Sequence, residues 1–252
     1  MSTHFFGDTA VLLGRSMRHI FRSADTIITT AITPIALMLL FVYVFGGAIR
    51  TGTENYVNYL LPGIMLIAIA SGIVHRCSLV HRHEERHFRA VPLHAIARSS
   101  VLWAHVLTSM VANGLSLVII MLVALLMGFR TSASLLAWLA IVGILALFTL
   151  ALTWLAIIAG LTAKSVDGAG GFSYPLIFLP FISSAFVPTA TMPGPVRAFA
   201  ENQPVTSIVN TIQDLFEQRP IGSDIWVALA WCLGILIIAY FFATAAYRRR
   251  IS

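Results

Sequence analysis

Residues 135–161 read LLAWLAIVGILALFTLALTWLAIIAGL, twenty-seven residues without a charged side chain. A helix needs about 20 mostly apolar residues to cross the hydrocarbon core of a bilayer. The run is longer than that and is apolar on every face, as expected for a helix surrounded by lipid or by other helices. The stretch therefore predicts a transmembrane α-helix, and the rest of the chain must be compatible with a membrane protein.

The composition agrees with that class. The chain has 252 residues, of which 58% are hydrophobic and 10% charged, and its mean hydropathy is +0.89. Soluble domains carry about 25% charged residues, so we predict an integral membrane protein. Cys77 and Cys232 are far apart and indicate neither a disulfide framework nor a metal site. The net charge of +6 comes from fifteen arginines and one lysine, which we expect at cytoplasmic ends and not on a nucleic-acid-binding surface.

Five further hydrophobic runs are candidate spans. They cover residues 27–45, 59–80, 101–127, 172–187 and 225–247. The run at 172–187 is short and contains Pro175 and Pro180, so we expect it to bend or to stop short of a full crossing. Together with 135–161, these runs predict an all-α polytopic fold with six transmembrane helices, in a single domain over 1–252.

Residues 1–24, which precede the first span, show an amphipathic pattern. Apolar residues recur at helical spacing, with basic residues largely opposite them: Phe6, Ala10, Leu13, Met17 and Phe21 against Arg15, Arg18, His19 and Arg22. This pattern predicts a helix that lies along the membrane surface. The alternative is an ordinary first turn of the first span.

Six spans place both termini on the same side of the membrane. Twelve arginines and lysines lie on that side and four on the other. Because cytoplasmic segments carry the excess of basic residues, both termini are predicted to be cytoplasmic. The outer segment 188–224 is then long, and it contains an apolar, helix-compatible stretch at 205–216. It is a candidate re-entrant segment, which is tolerated only where protein covers its backbone.

Two kinds of chemistry are absent from the sequence. The phosphate-binding pattern G-x-x-x-x-G-K-[ST] does not occur, and the nearest fragment, around Lys164, lacks the glycine before the lysine. No predicted span carries a pair of acidic residues of the kind expected in a proton- or sodium-coupled transporter. If the chain transports, a partner must therefore supply the energy.

Residues 83–87 match H-E-x-x-H, the pattern of zinc proteases. His83 and His87 would bind zinc from one face of a helix, and Glu84 would act as the general base. A third ligand is missing, because Asp167 is the only acidic residue expected on the cytoplasmic side in the later half of the chain. A membrane-embedded zinc protease is the alternative function; otherwise we expect no metal in this chain.

From residue 95 onward the chain resembles ABC-2 type permeases of the daunorubicin-resistance kind. The stretches that carry the resemblance are AIARSSVLWAHVLTSMVANGLSLVIIMLVALLMGFR, FSYPLIFLPFISSAFVPTATMPGPVRAFAENQPVTSIVNTI and the closing AAYRRRIS, with YVNYLLPGIMLIAIASG upstream. The resemblance implies a membrane subunit that dimerises with a second copy or a paralogue in the bacterial inner membrane. It also implies a separate ATP-binding subunit, which binds ATP and Mg²⁺, and export of a drug, lipid or glycolipid.

The resemblance also places a cytoplasmic coupling segment at 81–98, between spans two and three. Its candidate contacts with the ATP-binding subunit are Arg82, Glu84, Glu85, Arg86, His87, Phe88, Arg89 and Pro92. Phe178, Phe181 and Phe186 are candidates for an apolar cargo path, and the simpler alternative for each of them is a lipid-facing or packing residue. A subunit whose altered coupling segment no longer transmits ATP hydrolysis is a further alternative.

Residues 74–95, VHRCSLVHRHEERHFRAVPLHA, depart from the family pattern just where coupling is expected. One choice of codons for these residues, read from the second base, spells SIAAVSSTDMKSGTSERFHSM and then begins a proline codon. That string has the Asp-x-x-x-Gly and Glu-Arg-Phe-x-Ser-Met-Pro pattern of the family, in register with Ile96. We therefore hypothesise a one-base shift near residue 74, compensated near residue 95, which makes the H-E-x-x-H match a by-product of the altered frame.

Overall fold

The computed structural model of the chain describes residues 24–47, 49, 55–87, 98–162, 174–220 and 222–249, and this part is helical without a β-strand. The longer helices are α1 (Ala24–Leu39, continued by a π-helical turn, Leu40–Phe45), α2 (Tyr56–His87), α3 (Arg98–Leu126), α4 (Leu135–Thr162), α5 (Tyr174–Phe178, continued by a 3₁₀ turn, Leu179–Ile182), α6 (Gly194–Asn202), α7 (Pro204–Glu217) and α8 (Asp224–Arg249). The all-α prediction is confirmed. The predicted interfacial helix lies outside the described residues, except for Ala24, where α1 begins.

Among the described residues, four helices are long and apolar enough to cross a membrane. The candidate spans are Tyr56–Ile73 in α2, Val106–Leu126 in α3, Leu135–Ala159 in α4 and Asp224–Ala245 in α8. They confirm the second, third, fourth and sixth predicted spans. The first predicted span is helical over its full length, with Pro34 inside the helix and the π-helical turn at its end. A proline removes one backbone hydrogen bond, and a π-helical turn adds a local bulge, so this helix is less regular than the others.

The fifth predicted span is only partly helical in the described residues. Its helix starts at Tyr174, tightens to a 3₁₀ turn at Leu179 and ends at Ile182. These nine residues extend about 15 Å, which is half the thickness of the hydrocarbon core. Pro180 lies at the start of the 3₁₀ turn, where its missing N–H and fixed φ favour a tighter, short helix. Within the described residues this helix stops short of a full crossing, which is one of the two predicted outcomes.

α2 lies at the centre of the molecule. It contacts α1, α3, α4, α5 and α7, and Leu60, Leu61, Ile64 and Ile67 are fully buried along it. The helix continues to His87, so the first residues of the predicted coupling segment form its last turns. Residues on the outer faces of α3 and α8, such as Leu126 and Phe241, are exposed apolar side chains that suit a lipid environment.

The predicted helix-compatible stretch at 205–216 forms α7. Nine of its residues are buried, and the helix packs against α2, α4 and α8. It begins with Pro204 in the first turn, where a missing N–H costs nothing, and ends at Gln218, which has a left-handed backbone (φ 52°). Protein therefore covers much of α7, as a re-entrant segment requires.

Candidate cargo-facing site

The three phenylalanines predicted to line a cargo path come together in the structure. The rings of Phe181 and Phe186 stack with centroids 4.8 Å apart and planes 4° apart. The ring of Phe178 lies 6.3 Å from that of Phe181, at a tilt of 47°. The proximity follows from the chain itself, because Phe178 and Phe181 are three residues apart on a short helix and the turn after it brings Phe186 back.

Two further phenylalanines from α1 complete this group. The ring of Phe41 lies 4.6 Å from that of Phe186 and 6.4 Å from that of Phe181. The ring of Phe45 lies 5.5 Å from that of Phe41, one helical turn away. We call Phe41, Phe45, Phe178, Phe181 and Phe186 the phenylalanine cluster. The spacing of four between Phe41 and Phe45 was visible in the sequence, but no sequence signal paired α1 with the fifth segment.

The phenylalanine cluster extends from the surface of the chain into its interior. Phe178 is 59% exposed and Phe45 is 42% exposed, whereas Phe186 is 3% exposed. The rings of Phe45 and Phe178 are therefore accessible at the surface of the chain, and Phe186 is the buried ring of the group. Such an arrangement can bind apolar or flat aromatic molecules, because aromatic rings stack in offset or tilted geometries that are worth about 0.5–1.5 kcal/mol beyond simple burial.

A buried turn, residues 183–186, holds the inner end of the phenylalanine cluster. The hydroxyl of Ser183 donates to the carbonyl oxygen of Pro180 (2.6 Å) and accepts from the N–H of Ala185 (3.1 Å). The hydroxyl of Ser184 donates to Oδ1 of Asn210 in α7 (2.6 Å). Ser183 therefore satisfies backbone groups of the turn, where lipid and apolar neighbours offer no other partner, and Ser184 fastens the turn to the side chain of Asn210.

Two tyrosines of α2 hold the other side of the buried turn. The hydroxyl of Tyr59 donates to the carbonyl oxygen of Ser184 (2.6 Å), and the hydroxyl of Tyr56 donates to that of Phe186 (3.2 Å). One turn further along α2, Gly63 faces Ala185 so closely that a Cβ on the glycine would lie 2.5 Å from the alanine Cβ. The small residue at position 63 is what lets the helix approach the buried turn.

Side-chain amides connect the buried turn to α7 and α8. Gln203 donates from Nε2 to the carbonyl oxygens of Leu179 (3.3 Å) and Ile182. Asn210, which accepts from Ser184, donates from Nδ2 to Oδ2 of Asp224 at the start of α8 (3.0 Å). The result is a hydrogen-bonded chain from α2 through the buried turn and α7 to α8. Sequence reasoning missed these residues, since isolated polar residues in an apolar chain give no pattern.

A second apolar feature lies on the opposite side of the fifth segment. It is a cavity of about 190 Å³ between α4, α5, α7 and α8. Its lining is Phe148, Leu152, Leu155, Leu176, Leu179, Pro204, Val205, Ile235 and Ile238. A cavity lined in this way excludes water and accommodates hydrocarbon.

The candidate coupling residues fall in two groups. Arg82, Glu84, Glu85, Arg86 and His87 belong to the last turns of α2, where the structure describes the helix but not these side chains. Phe88, Arg89 and Pro92 lie outside the described residues. The coupling role of all eight therefore stays a prediction.

Comparisons with known proteins identify the kind of molecule that carries this arrangement. The model of the family described as ABC-2 type transporter matches residues 8–216. The daunorubicin resistance ABC transporter permease protein DrrB1 of Streptomyces coeruleorubidus is 26% identical over 242 residues, which cover 92% of this chain and 82% of that protein. The probable doxorubicin resistance ABC transporter permease protein DrrC of Mycobacterium tuberculosis is 24% identical over 255 residues, which cover 97% of this chain and 90% of that protein. Neither of these relatives is named as a protease.

Proposed function

The chain belongs to the ABC-2 type transporter family and is the membrane subunit of an ATP-binding-cassette exporter, and we propose that its cargo is a hydrophobic or amphiphilic molecule with a flat aromatic part. The family match and the permease names of the relatives support the first half of this statement. The phenylalanine cluster supports the second, because the exposed rings of Phe45 and Phe178 lie at a tilt against half-buried rings, and these in turn contact the buried ring of Phe186. Drug, lipid and glycolipid cargoes all fall within the wider class, and the names of the relatives favour a drug.

The energy for export comes from a separate ATP-binding subunit, as membership of the family implies. We propose that this partner binds ATP and Mg²⁺ and that the present chain needs no cofactor of its own. The coupling segment at 81–98 would dock on the partner and carry its movement into α2 and α3. Interfaces of this kind shift between discrete arrangements, so ATP hydrolysis can switch the permease between an inward-facing and an outward-facing state.

The chain is a multi-pass bacterial membrane protein, and we propose a finer placement. The excess of basic residues at the predicted inner ends supports cytoplasmic termini in the inner membrane. A second permease copy or a paralogue would complete the translocation path, with membrane lipids around both. The proposed placement puts the phenylalanine cluster towards the outer side, since α2 would enter the membrane from outside at Tyr56.

The cargo proposal is tested by doxorubicin efflux. The permease is co-expressed with its ATP-binding subunit in a drug-sensitive bacterium, and drug fluorescence in the cells is followed after loading. Phe178→Leu and Phe181→Leu keep apolar bulk but remove the ring faces. We expect efflux to slow by about 2- to 10-fold, which corresponds to the loss of one stacking contact.

Phe241→Leu is the matched control. Phe241 is a 67% exposed phenylalanine on α8 whose ring contacts that of Tyr240, and it lies on a different helix from the phenylalanine cluster. This substitution should leave efflux unchanged at equal amounts of membrane protein. Equal efflux by all three variants and the parent chain would show that the phenylalanine cluster does not handle cargo.

A further inference from the structure

Asn113, in the middle of α3, is a buried amide without a hydrogen-bond partner among the described residues. The residue is 2% exposed, and neither Oδ1 nor Nδ2 has a partner within the part of the chain that the structure describes. The amide is packed against Gly72 of α2, where any Cβ would collide with the oxygen Oδ1. A residue larger than glycine could therefore not occupy position 72 while Asn113 keeps this position.

Three other buried polar side chains of α3 and α4 are satisfied within their own helices. Ser116, three residues further along α3, donates to the carbonyl oxygen of Ala112 (3.1 Å). Thr149 and Thr153 on α4 each donate to the carbonyl oxygen four residues earlier (2.7 Å). An unsatisfied amide is far more costly inside a bilayer than in water, because no solvent can replace the missing partners. Asn113 therefore makes the described arrangement of α2 and α3 less stable than an apolar residue would.

The position of this contact relates it to the coupling segment. Gly72 lies fifteen residues before the end of α2 at His87, and Asn113 lies fifteen residues after the start of α3 at Arg98. Each distance is about 22 Å along a helix. The Gly72–Asn113 contact therefore lies at about the same distance from the coupling segment along α2 as along α3.

We propose that Asn113 is a positioning residue of the transport cycle: its amide destabilises the closed contact between α2 and α3 and is hydrated when the two helices separate. The inference rests on the proposed function, since movement of the coupling segment is what would separate the helices. An amide that lacks hydrogen bonds in one state and forms them in the other shifts the equilibrium toward the second state. The difference in the free energy of the amide between the two states sets the size of the shift. The tight packing at Gly72 stabilises the closed state, and the unpaired amide destabilises it. Because the two effects oppose each other, the protein can leave either state.

Access of water to the contact is the direct test. Ser109 is 1% exposed and lies one turn before Asn113 on the same side of α3. Ser109→Cys is introduced into a chain that also carries Cys77→Ala and Cys232→Ala, and the complex with the ATP-binding subunit is treated with a charged methanethiosulfonate reagent. We expect labelling during ATP hydrolysis at least five times faster than without nucleotide, and Asn113→Leu should abolish the increase. Val111→Cys, at a 39% exposed position on the other side of α3, should show no dependence on nucleotide.

Stability and coupling give a second, independent readout. Asn113→Leu and Asn113→Ala both remove the unpaired amide, and the second adds no bulk against Gly72. We expect the midpoint of thermal unfolding in detergent to rise by about 3 °C for at least one of them, while doxorubicin-stimulated ATP hydrolysis falls at least fivefold for both. Ser116→Ala removes a hydrogen-bonded hydroxyl from the same helix. It should neither raise the unfolding midpoint nor lower ATP hydrolysis fivefold.

Three results would overturn the inference. A lower midpoint for both Asn113 variants would show that the amide is bonded in the resting protein. Unchanged ATP hydrolysis would show that it has no part in the cycle, and nucleotide-independent labelling at position 109 would show that the contact does not open. If doxorubicin stimulated neither the parent complex nor a complex whose permease carries SIAAVSSTDMKSGTSERFHSMP at residues 74–95, the proposed cargo would be refuted, and the labelling experiment with ATP alone would still decide the role of Asn113.

Discussion

At the scale of single residues, Tyr59 shows how a polar side chain stabilises irregular backbone inside a membrane protein. Its hydroxyl donates to the carbonyl oxygen of Ser184, and its own carbonyl oxygen accepts from Nε2 of Gln213 (2.8 Å). The residue thus joins α2 to both the buried turn and α7. An apolar residue at position 59 could fill the same space but could not satisfy the carbonyl of the turn.

Tyr59→Phe is therefore expected to destabilise the protein while preserving its packing. Loss of the hydroxyl leaves the buried carbonyl of Ser184 without this donor, at a cost of about 1–3 kcal/mol. For a chain of this size we expect the midpoint of thermal unfolding to fall by about 2–4 °C for each kcal/mol lost. The measurement is intrinsic fluorescence of purified protein in detergent.

Tyr43→Phe provides the control for the chemical change. Tyr43 lies on the π-helical turn of α1 and is 71% exposed, so its hydroxyl is not part of the buried turn. Its substitution should leave the midpoint within the error of measurement. Equal shifts for the two variants would indicate that the hydroxyl of Tyr59 contributes nothing specific to the buried turn.

At the scale of helices, the closest approach of α2 to the buried turn depends on Gly63. A methyl group at this position would lie 2.5 Å from the Cβ of Ala185, so the helix or the turn must move. Overpacking of this kind costs about 1–3 kcal/mol. We predict that Gly63→Ala lowers the unfolding midpoint and, because the turn holds Phe186, also slows doxorubicin efflux.

Gly143→Ala is the matched variant in another span. Gly143 lies in α4, and a Cβ there would have no neighbour within 4 Å. Since alanine is the better helix former by about 0.8–1.0 kcal/mol, the midpoint should stay the same or rise slightly. If Gly63→Ala behaved like Gly143→Ala, the close packing of α2 on the buried turn would be refuted.

The long helices could be predicted from the sequence, because runs of about twenty apolar residues have few alternatives to a membrane span. The early end of the helix near Pro180 and the helix at 205–216 also followed from local rules, namely the missing N–H of proline and the apolar helical pattern. The grouping of Phe178, Phe181 and Phe186 was anticipated as a cargo path, and their mutual contacts agree with that grouping. Their role in transport stays a prediction.

Other features could not be read from the sequence, because they depend on which helices are neighbours. The contribution of Phe41 requires α1 to pack against the fifth segment. The contact between Asn113 and Gly72 joins residues that are forty-one positions apart in the chain. Hydropathy identifies spans but carries no information on how they pair, since lipid and neighbouring helices are equally apolar surroundings.

At the scale of the whole molecule, α2 links the three features on which the proposed function depends. Tyr56 and Tyr59 near its start hold the buried turn, Gly72 meets Asn113 in its middle, and its last turns enter the coupling segment. The helix has 32 residues and is therefore about 48 Å long. A displacement at the coupling segment can reach the phenylalanine cluster through this single element, provided that the segment docks correctly on the partner.

The final prediction concerns that docking. Residues 82–87 are all charged or imidazole side chains, and charges that are buried in an interface without matching partners cost several kcal/mol. We therefore expect the chain to insert into the membrane and to bind its partner, yet to transmit ATP hydrolysis poorly. Replacement of residues 74–95 by SIAAVSSTDMKSGTSERFHSMP, the string of the shifted frame, should raise doxorubicin-stimulated ATP hydrolysis and efflux by tenfold or more, since 1.4 kcal/mol corresponds to a factor of ten.

The comparison requires both chains with the same ATP-binding subunit, at equal amounts of assembled complex. A third chain, with the replacement string in scrambled order, controls for the loss of charge alone, because it has the same composition but cannot present the Glu-Arg-Phe pattern to the partner. We expect this control to stay at the low but measurable rate of the parent. If parent and replacement hydrolysed ATP equally well in response to doxorubicin, the charged segment would itself be a working coupling element. The frame-shift hypothesis would then lose its functional basis, and the H-E-x-x-H residues would have to be explained as part of a different docking surface.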